Sequence, residues 1–130
     1  MTPQELVAAA MEVRERAYAP YSNFRVGAAV LTSAGELFAG ANVENASYGL
    51  TICAERVAIG SAVAAGARKV SMLAVVSKPG ACMCGACRQV LSEFAEPDAM
   101  VMLASEDGSF ETVSFAELLP RAFDPRDLEK

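Results

Sequence analysis

Cys53, Cys84 and Cys87, with Glu55 two positions after the first of them, are the residues of this 130-residue chain whose types and spacing can do chemistry. Cys84-Gly85-Ala86-Cys87 separates two thiols by three positions, which at a helix start puts both sulfurs on one face and within reach of one ion. A helix N-terminus also favours the thiolate over the thiol. Cys53-Ala54-Glu55 sits at the predicted start of a second helix, so three thiols can converge on one zinc if both helix starts gather at the same edge of a sheet. The chain contains no histidine. A coordination shell must therefore come from Cys, Asp, Glu, backbone or solvent. Three thiolates with a fourth position open is the simplest catalytic zinc site, whereas four protein ligands make a structural one. Glu55 is predicted to project to a different side of its helix from Cys53, beside the metal but not on it. That placement suits a proton shuttle.

Three thiolates on Zn²⁺ leave a net negative charge that the surroundings must offset. Arg56 and Arg88 each follow a proposed ligand and are placed to donate charge-assisted hydrogen bonds to the sulfurs, with Arg56 the favoured of the two. Cys82 is a further thiol. It could replace Cys84 or close the metal with a fourth sulfur, the structural reading that spacing alone leaves open. Its place outside the predicted helix start makes it the poorer partner for Cys87. Taken alone, Glu55 reads as an ordinary helix-start carboxylate, and its value comes from Cys53.

The elements that must position these residues follow from period and punctuation. Thr2-Pro3-Gln4-Glu5 reads as a capped helix start, with Leu6, Ala10, Val13 and Ala17 on one face and a break after Tyr18. Two β-rich runs, 25–32 and 36–43, flank Ser33-Ala34-Gly35 as a hairpin. A helix is predicted from about Ile52 to Ala65, ended by Gly66, then a buried strand from Val70 to Ser77. Another helix runs from Cys84 to about Ala95 on a stripe of Val90, Leu91 and Phe94, and a second buried strand covers Ala99 to Ser105. Asp107-Gly108 turns the chain into an edge strand, Phe110 to Val113. Ser114 and Glu117 read as a second capping box. Two strand-helix-strand crossovers beside a hairpin predict an α/β fold, a three-layer α/β/α arrangement around one mixed five-stranded sheet.

The composition bounds the class. Residues 1–130 suit a single domain, and a 53% hydrophobic content argues for a packed core. The opening MTPQELVAAAMEVRERAYAP interleaves charge with apolar residues, so neither a signal peptide nor a membrane span is expected, and the protein is expected in the cytoplasm. In a reducing compartment the four cysteines read as thiols or ligands rather than disulfides. The net charge of −5, with Lys and Arg scattered, offers no track for a phosphate backbone, so no nucleic acid partner is expected.

Cys53-x-Glu55 followed by Cys84-x-x-Cys87 matches the zinc nucleobase deaminase signature in its three-cysteine form. Tyr18-Ala-Pro-Tyr-Ser-Asn-Phe-Arg-Val-Gly-Ala-Ala, Asn42-Val-Glu-Asn-Ala-Ser-Tyr-Gly-Leu-Thr, Cys84-Gly-Ala-Cys-Arg-Gln-Val-Leu and Glu117-Leu-Leu-Pro extend the likeness. Nearly end to end, the chain resembles the homotetrameric bacterial cytidine deaminases. The resemblance implies zinc-dependent hydrolysis of cytidine and deoxycytidine to uridine and deoxyuridine in pyrimidine salvage, with one zinc per chain. It places Phe24 against the pyrimidine, Asn42 and Glu44 on the ribose hydroxyls, and the backbone N–H of Ala54 toward the base carbonyl. Tyr48 and Phe123 would complete a neighbouring subunit's pocket. Two departures stand out: Met83 replaces the proline usual before Cys-x-x-Cys, and the loop is shortened. Alternatives are a deaminase of the same fold acting on another nucleoside such as blasticidin S, a nucleic-acid editor, and a structural zinc module. Asn42, Glu44 and Phe24 favour cytidine over the first. The missing histidine ligand and basic surface weigh against the second.

Overall fold

The structure, a computed structural model, describes residues 1–128. Thr2 opens α1 (Pro3–Arg14) with the expected capping box: its side chain accepts from the Glu5 N–H at 3.1 Å, and the Glu5 carboxylate accepts from the Thr2 N–H at 3.0 Å. Leu6, Val7 and Ala10 bury the inner face. The helix stops earlier than the expected Tyr18. Arg16 and Ala17 donate to carbonyls three residues back, on Val13 and Arg14, which tightens the end. Tyr18 then leaves to bridge Val43, donating to the Asn42 carbonyl and accepting from the Glu44 N–H, both at 2.9 Å. Non-local pairing has overridden the local helical pattern, and Ala17 lies beyond the helix.

β1 (Gly27–Thr32) and β2 (Leu37–Ala41) form the expected hairpin, its turn made possible by Gly35 at φ +87°. β3 (Val70–Val76) runs antiparallel to β1, β4 (Ala95–Ala104) parallel to β3, and β5 (Phe110–Ser114) antiparallel to β4. The resulting order, β2-β1-β3-β4-β5, is the mixed five-stranded sheet that the element pattern predicts. β4 begins at Ala95 rather than Ala99, with Ala95 opposite Val70 before the register shifts.

The connecting helices are α2 (Ala54–Ala64), α3 (Gly85–Phe94) and the short α4 (Phe115–Leu118). The second capping box does not form. Ser114 makes no side-chain capping bond, because it is also the last residue of β5, held opposite Met100.

Alternation along the strands sorts the core into two layers. Ala28, Val30, Leu73, Val75 and Val101 face α2, α3 and α4, packing with Ala58, Ile59, Ala62, Leu91 and Phe115. Ala29, Ala74, Val76 and Met102 face α1 and meet Leu6, Val7 and Ala10. Helices therefore cover both faces, in the three-layer arrangement expected. Both crossovers, β2 to β3 through α2 and β3 to β4 through α3, join parallel strands. The starts of α2 and α3 consequently meet at the carboxyl ends of the strands. Gly40 brings α2 close, since a Cβ there would lie 2.6 Å from the Ala58 backbone nitrogen.

Candidate active site

Cys53 and Cys84 hold equivalent places. Each is the N-cap residue of a helix that follows a strand, with extended backbone at φ −67°, ψ 150° and φ −70°, ψ 166°. Cys87 lies in the first turn of α3, fully buried, and its N–H donates to Cys84 Sγ at 3.5 Å. Cys84 Sγ stands 3.4 Å from Cys87 Sγ and 4.0 Å from Cys53 Sγ, and all three sulfurs lie within 4.8 Å of one another. Tetrahedral zinc with Zn–S of about 2.3 Å sets sulfur-sulfur separations of about 3.8 Å. The triangle is therefore the right size for zinc.

Cys82 stands outside this group. It is exposed, its Sγ accepts from Arg88 Nη2 at 3.3 Å, and no fourth Cys, His or carboxylate donor joins the three sulfurs among the described residues. The structural four-cysteine alternative fails on that geometry. The two arginines also part company. Arg56 Nη2 reaches Cys53 Sγ at 3.5 Å, as expected. Arg88 instead donates to the carbonyls of Met83 and Leu118, both at 2.9 Å, clamping the loop before α3 to the end of α4. Met83, in the position of the missing proline, is buried in the core beneath it.

The electrostatics separate the groups by role. The hydrogen bond with Cys87 holds the Cys53 thiol far below its ordinary range, to about 5, and the Arg56 guanidinium adds to the effect. Cys87, the other partner in that bond and buried, is pushed the opposite way. Glu55, only 5% exposed, is raised from the usual carboxylate range first by burial and then by the charge of Cys53. A carboxylate so placed holds and releases protons more readily than a solvated one.

A cleft of about 250 Å³ opens beside these groups, lined by Cys53, Ala54, Glu55 and Cys84 together with Phe24, Asn42 and Glu44. Thus five of the expected site residues, Phe24, Asn42, Glu44, Ala54 and Glu55, gather with Cys53 and Cys84 in one space. Ala54 is fully buried at the first position of α2, and its N–H is one of the first-turn amides that helix geometry leaves without an intrahelical acceptor. Asn42 and Glu44, alternate residues just past β2, both turn inward. Asn42 Oδ1 accepts from the Val26 N–H at 3.0 Å while its Nδ2 donates to the Phe24 carbonyl at 2.9 Å. Glu44 Oε1 accepts from the N–H groups of Tyr21 and Ser22, and Oε2 from the Ser22 hydroxyl. These bonds, led by the Ser22 hydroxyl, hold the Glu44 carboxyl below its ordinary range.

Tyr48 and Phe123 do not line that cleft. Tyr48 is 74% exposed and meets the edge of Tyr21 at 5.7 Å, in a neighbouring recess that also touches Ser22 and Glu44. Phe123 is exposed on the tail, its carbonyl taking a hydrogen bond from Gln89 Nε2. The sequence does not single out Ser22, which lines the cleft, while Cys82, weighed there as an alternative ligand, lines it without joining the three sulfurs. Ser22 carried a signal, since a serine in a Pro-Tyr-Ser-Asn turn commonly bonds the backbone two residues on, as its Oγ does with the Phe24 N–H at 3.0 Å.

Comparison with known proteins agrees with the fold and the metal group. The family model described as cytidine and deoxycytidylate deaminase zinc-binding region matches residues 1–104. Cytidine deaminase of Halalkalibacterium halodurans is 47% identical over 130 residues, covering 98% of each chain, and that of Sporosarcina psychrophila is 44% identical over 98% of this chain and 96% of its own. The crystal structure of cytidine deaminase from Burkholderia pseudomallei superposes with a TM-score of 0.90 at 50% identity, covering 95% of this chain and all of that one. With its sulfur triangle, buried carboxylate and near-full-length likeness to these enzymes, the chain belongs to the cytidine and deoxycytidylate deaminase family.

Proposed function

We propose that the chain catalyses the hydrolytic deamination of cytidine and deoxycytidine to uridine and deoxyuridine, with release of ammonia. The observation that carries this reading is Glu55, a buried carboxylate with a raised pKa, beside three clustered sulfurs in a nucleoside-sized cleft. The likeness to enzymes named cytidine deaminase supports it across the whole length.

Cys53, Cys84 and Cys87 would hold one zinc ion, and Arg56 would offset the charge of the thiolates. Bound there, zinc supplies Lewis acidity that lowers the pKa of water toward neutrality. Glu55 takes a proton from the attacking water and delivers it to N3 of the cytosine ring as the oxygen bonds to C4. It then passes the second proton to the exocyclic amine, the C4–N bond breaks, and ammonia leaves as the carbonyl forms. Phe24 packs against the pyrimidine. Asn42 and Glu44 receive the sugar hydroxyls, and the Ala54 N–H faces the base carbonyl, a fixed dipole that needs no reorganisation during the reaction.

Residues 1–130 act as one catalytic unit in this reading, in the cytoplasm and in pyrimidine salvage. No helix among the described residues is long and apolar enough to cross a membrane. We infer further that four copies assemble, with Tyr48 and Phe123 completing a neighbour's cleft. Their exposure supports this, as does the run of half-exposed apolar side chains at Tyr18, Val43 and Ile52 that the isolated bridges align.

The deciding experiment measures zinc content and the loss of cytidine absorbance in the same preparation. One zinc per chain and turnover of cytidine are expected, and Glu55→Gln should keep the zinc while losing on the order of 10² to 10⁴ in kcat. Zinc-replete protein that leaves cytidine untouched would overturn the assignment.

A further inference from the structure

Ser22 occupies a junction that the proposed chemistry does not yet use. Its hydroxyl accepts from the Phe24 N–H at 3.0 Å and bonds Glu44 Oε2. A serine hydroxyl carries a single proton. Because Phe24 brings its own, the Ser22 proton is free to go to the carboxylate, and the directions of both bonds are fixed. Glu44 Oε1 is filled separately by the N–H groups of Tyr21 at 2.9 Å and Ser22 at 3.1 Å. An ionised carboxylate offers about four acceptor positions. Three are taken by one turn of chain, which leaves a single position, on Oε2, for a hydroxyl arriving from the cleft.

The same turn carries the aromatic wall. The Phe24 amide is held by Ser22, and its carbonyl accepts from Asn42 Nδ2 at 2.9 Å. One hydroxyl thus ties a sugar-side carboxylate to the backbone of the residue that faces the base. We propose that Ser22 is a positioning residue: it orients the free lone pair of Glu44 and the Phe24 backbone together, and so sets the affinity for the nucleoside without entering the proton transfers at Glu55. The proposal rests on the deaminase reading of the cleft.

Steady-state kinetics of Ser22→Ala and Ser22→Thr test it, with zinc content measured alongside and uridine binding followed by titration calorimetry. A hydrogen bond to a charged group is worth enough to change affinity by about tenfold or more when lost. Ser22→Ala should raise the KM for cytidine and the Kd for uridine by about tenfold, with kcat changed less than about threefold and zinc still at one per chain. Ser22→Thr keeps the hydroxyl, and at an exposed position its methyl has room; it should bring both constants back to within about threefold of wild type. An active wild type with Ser22→Ala indistinguishable from it, a fall in kcat with KM intact, or no rescue by threonine would each overturn the proposal alone. A zinc-replete wild type that neither converts cytidine nor binds uridine would overturn the deaminase reading, and this proposal with it.

Discussion

Two thiols, Cys82 and Cys84, stand two positions apart and meet opposite fates because one of them caps a helix. As the N-cap of α3, Cys84 turns its sulfur toward Cys87 and Cys53, while Cys82 lies in the preceding loop under the Arg88 guanidinium. The expected outcome is that Cys84→Ser abolishes stoichiometric zinc, since a ligand lost from a three-thiolate set leaves two. Cys82→Ser should retain one zinc per chain. Metal analysis of the two purified variants decides it, and a reversal would move the ligand to Cys82. The Cys-x-Glu and Cys-x-x-Cys spacings made this group legible, because each keeps its residues within one helical turn. The destination of Arg88 was not legible: its acceptors, on Met83 and Leu118, are 5 and 30 positions away.

Elements set where the helix starts fall. α2 lies directly on β2 because Gly40 has no side chain, and a methyl group there would meet the Ala58 nitrogen at 2.6 Å and Val57 side-chain carbons at 2.8 Å and 2.9 Å. Backbone on one side of the contact cannot swing away as a flexible side chain would. Gly40→Ala should therefore cost about 1–3 kcal/mol, the usual range for overpacking, read as a lower urea midpoint at unchanged slope. Unaltered stability would show that α2 can slide on the sheet. The strands and crossover helices were legible from period and turn residues, whereas two ends were not. α1 gives up its last turn to a bridge between Tyr18 and Val43, and Ser114 serves the β5 ladder in place of a capping box. In both cases a partner distant in sequence outcompetes a local signal.

For the whole molecule, the proposed assembly of four chains would cover apolar side chains that the single chain leaves exposed. Tyr48, Phe123 and the aligned Tyr18, Val43 and Ile52 lie on the surface of the single chain. The expected outcome by light scattering is a particle of four chains, with Phe123→Ala lowering kcat/KM while zinc content stays at one per chain. A monomer active at full rate would remove the shared-pocket idea and leave Glu55 and its metal group untouched.

Residue types and short spacings were enough to mark three thiols, one carboxylate and a mixed sheet, because helix and strand periods dictate which neighbours share a face. Tertiary structure alone decided where Arg88 donates and that Ser22 links Glu44 to Phe24. It also set the distances that keep Cys82 out and bring Arg56 to Cys53, two choices the sequence already favoured. Those choices depend on distances between segments far apart in the chain. Only the packing of α2 and α3 at the strands' carboxyl ends, and the turn of chain that wraps Glu44, establishes such distances.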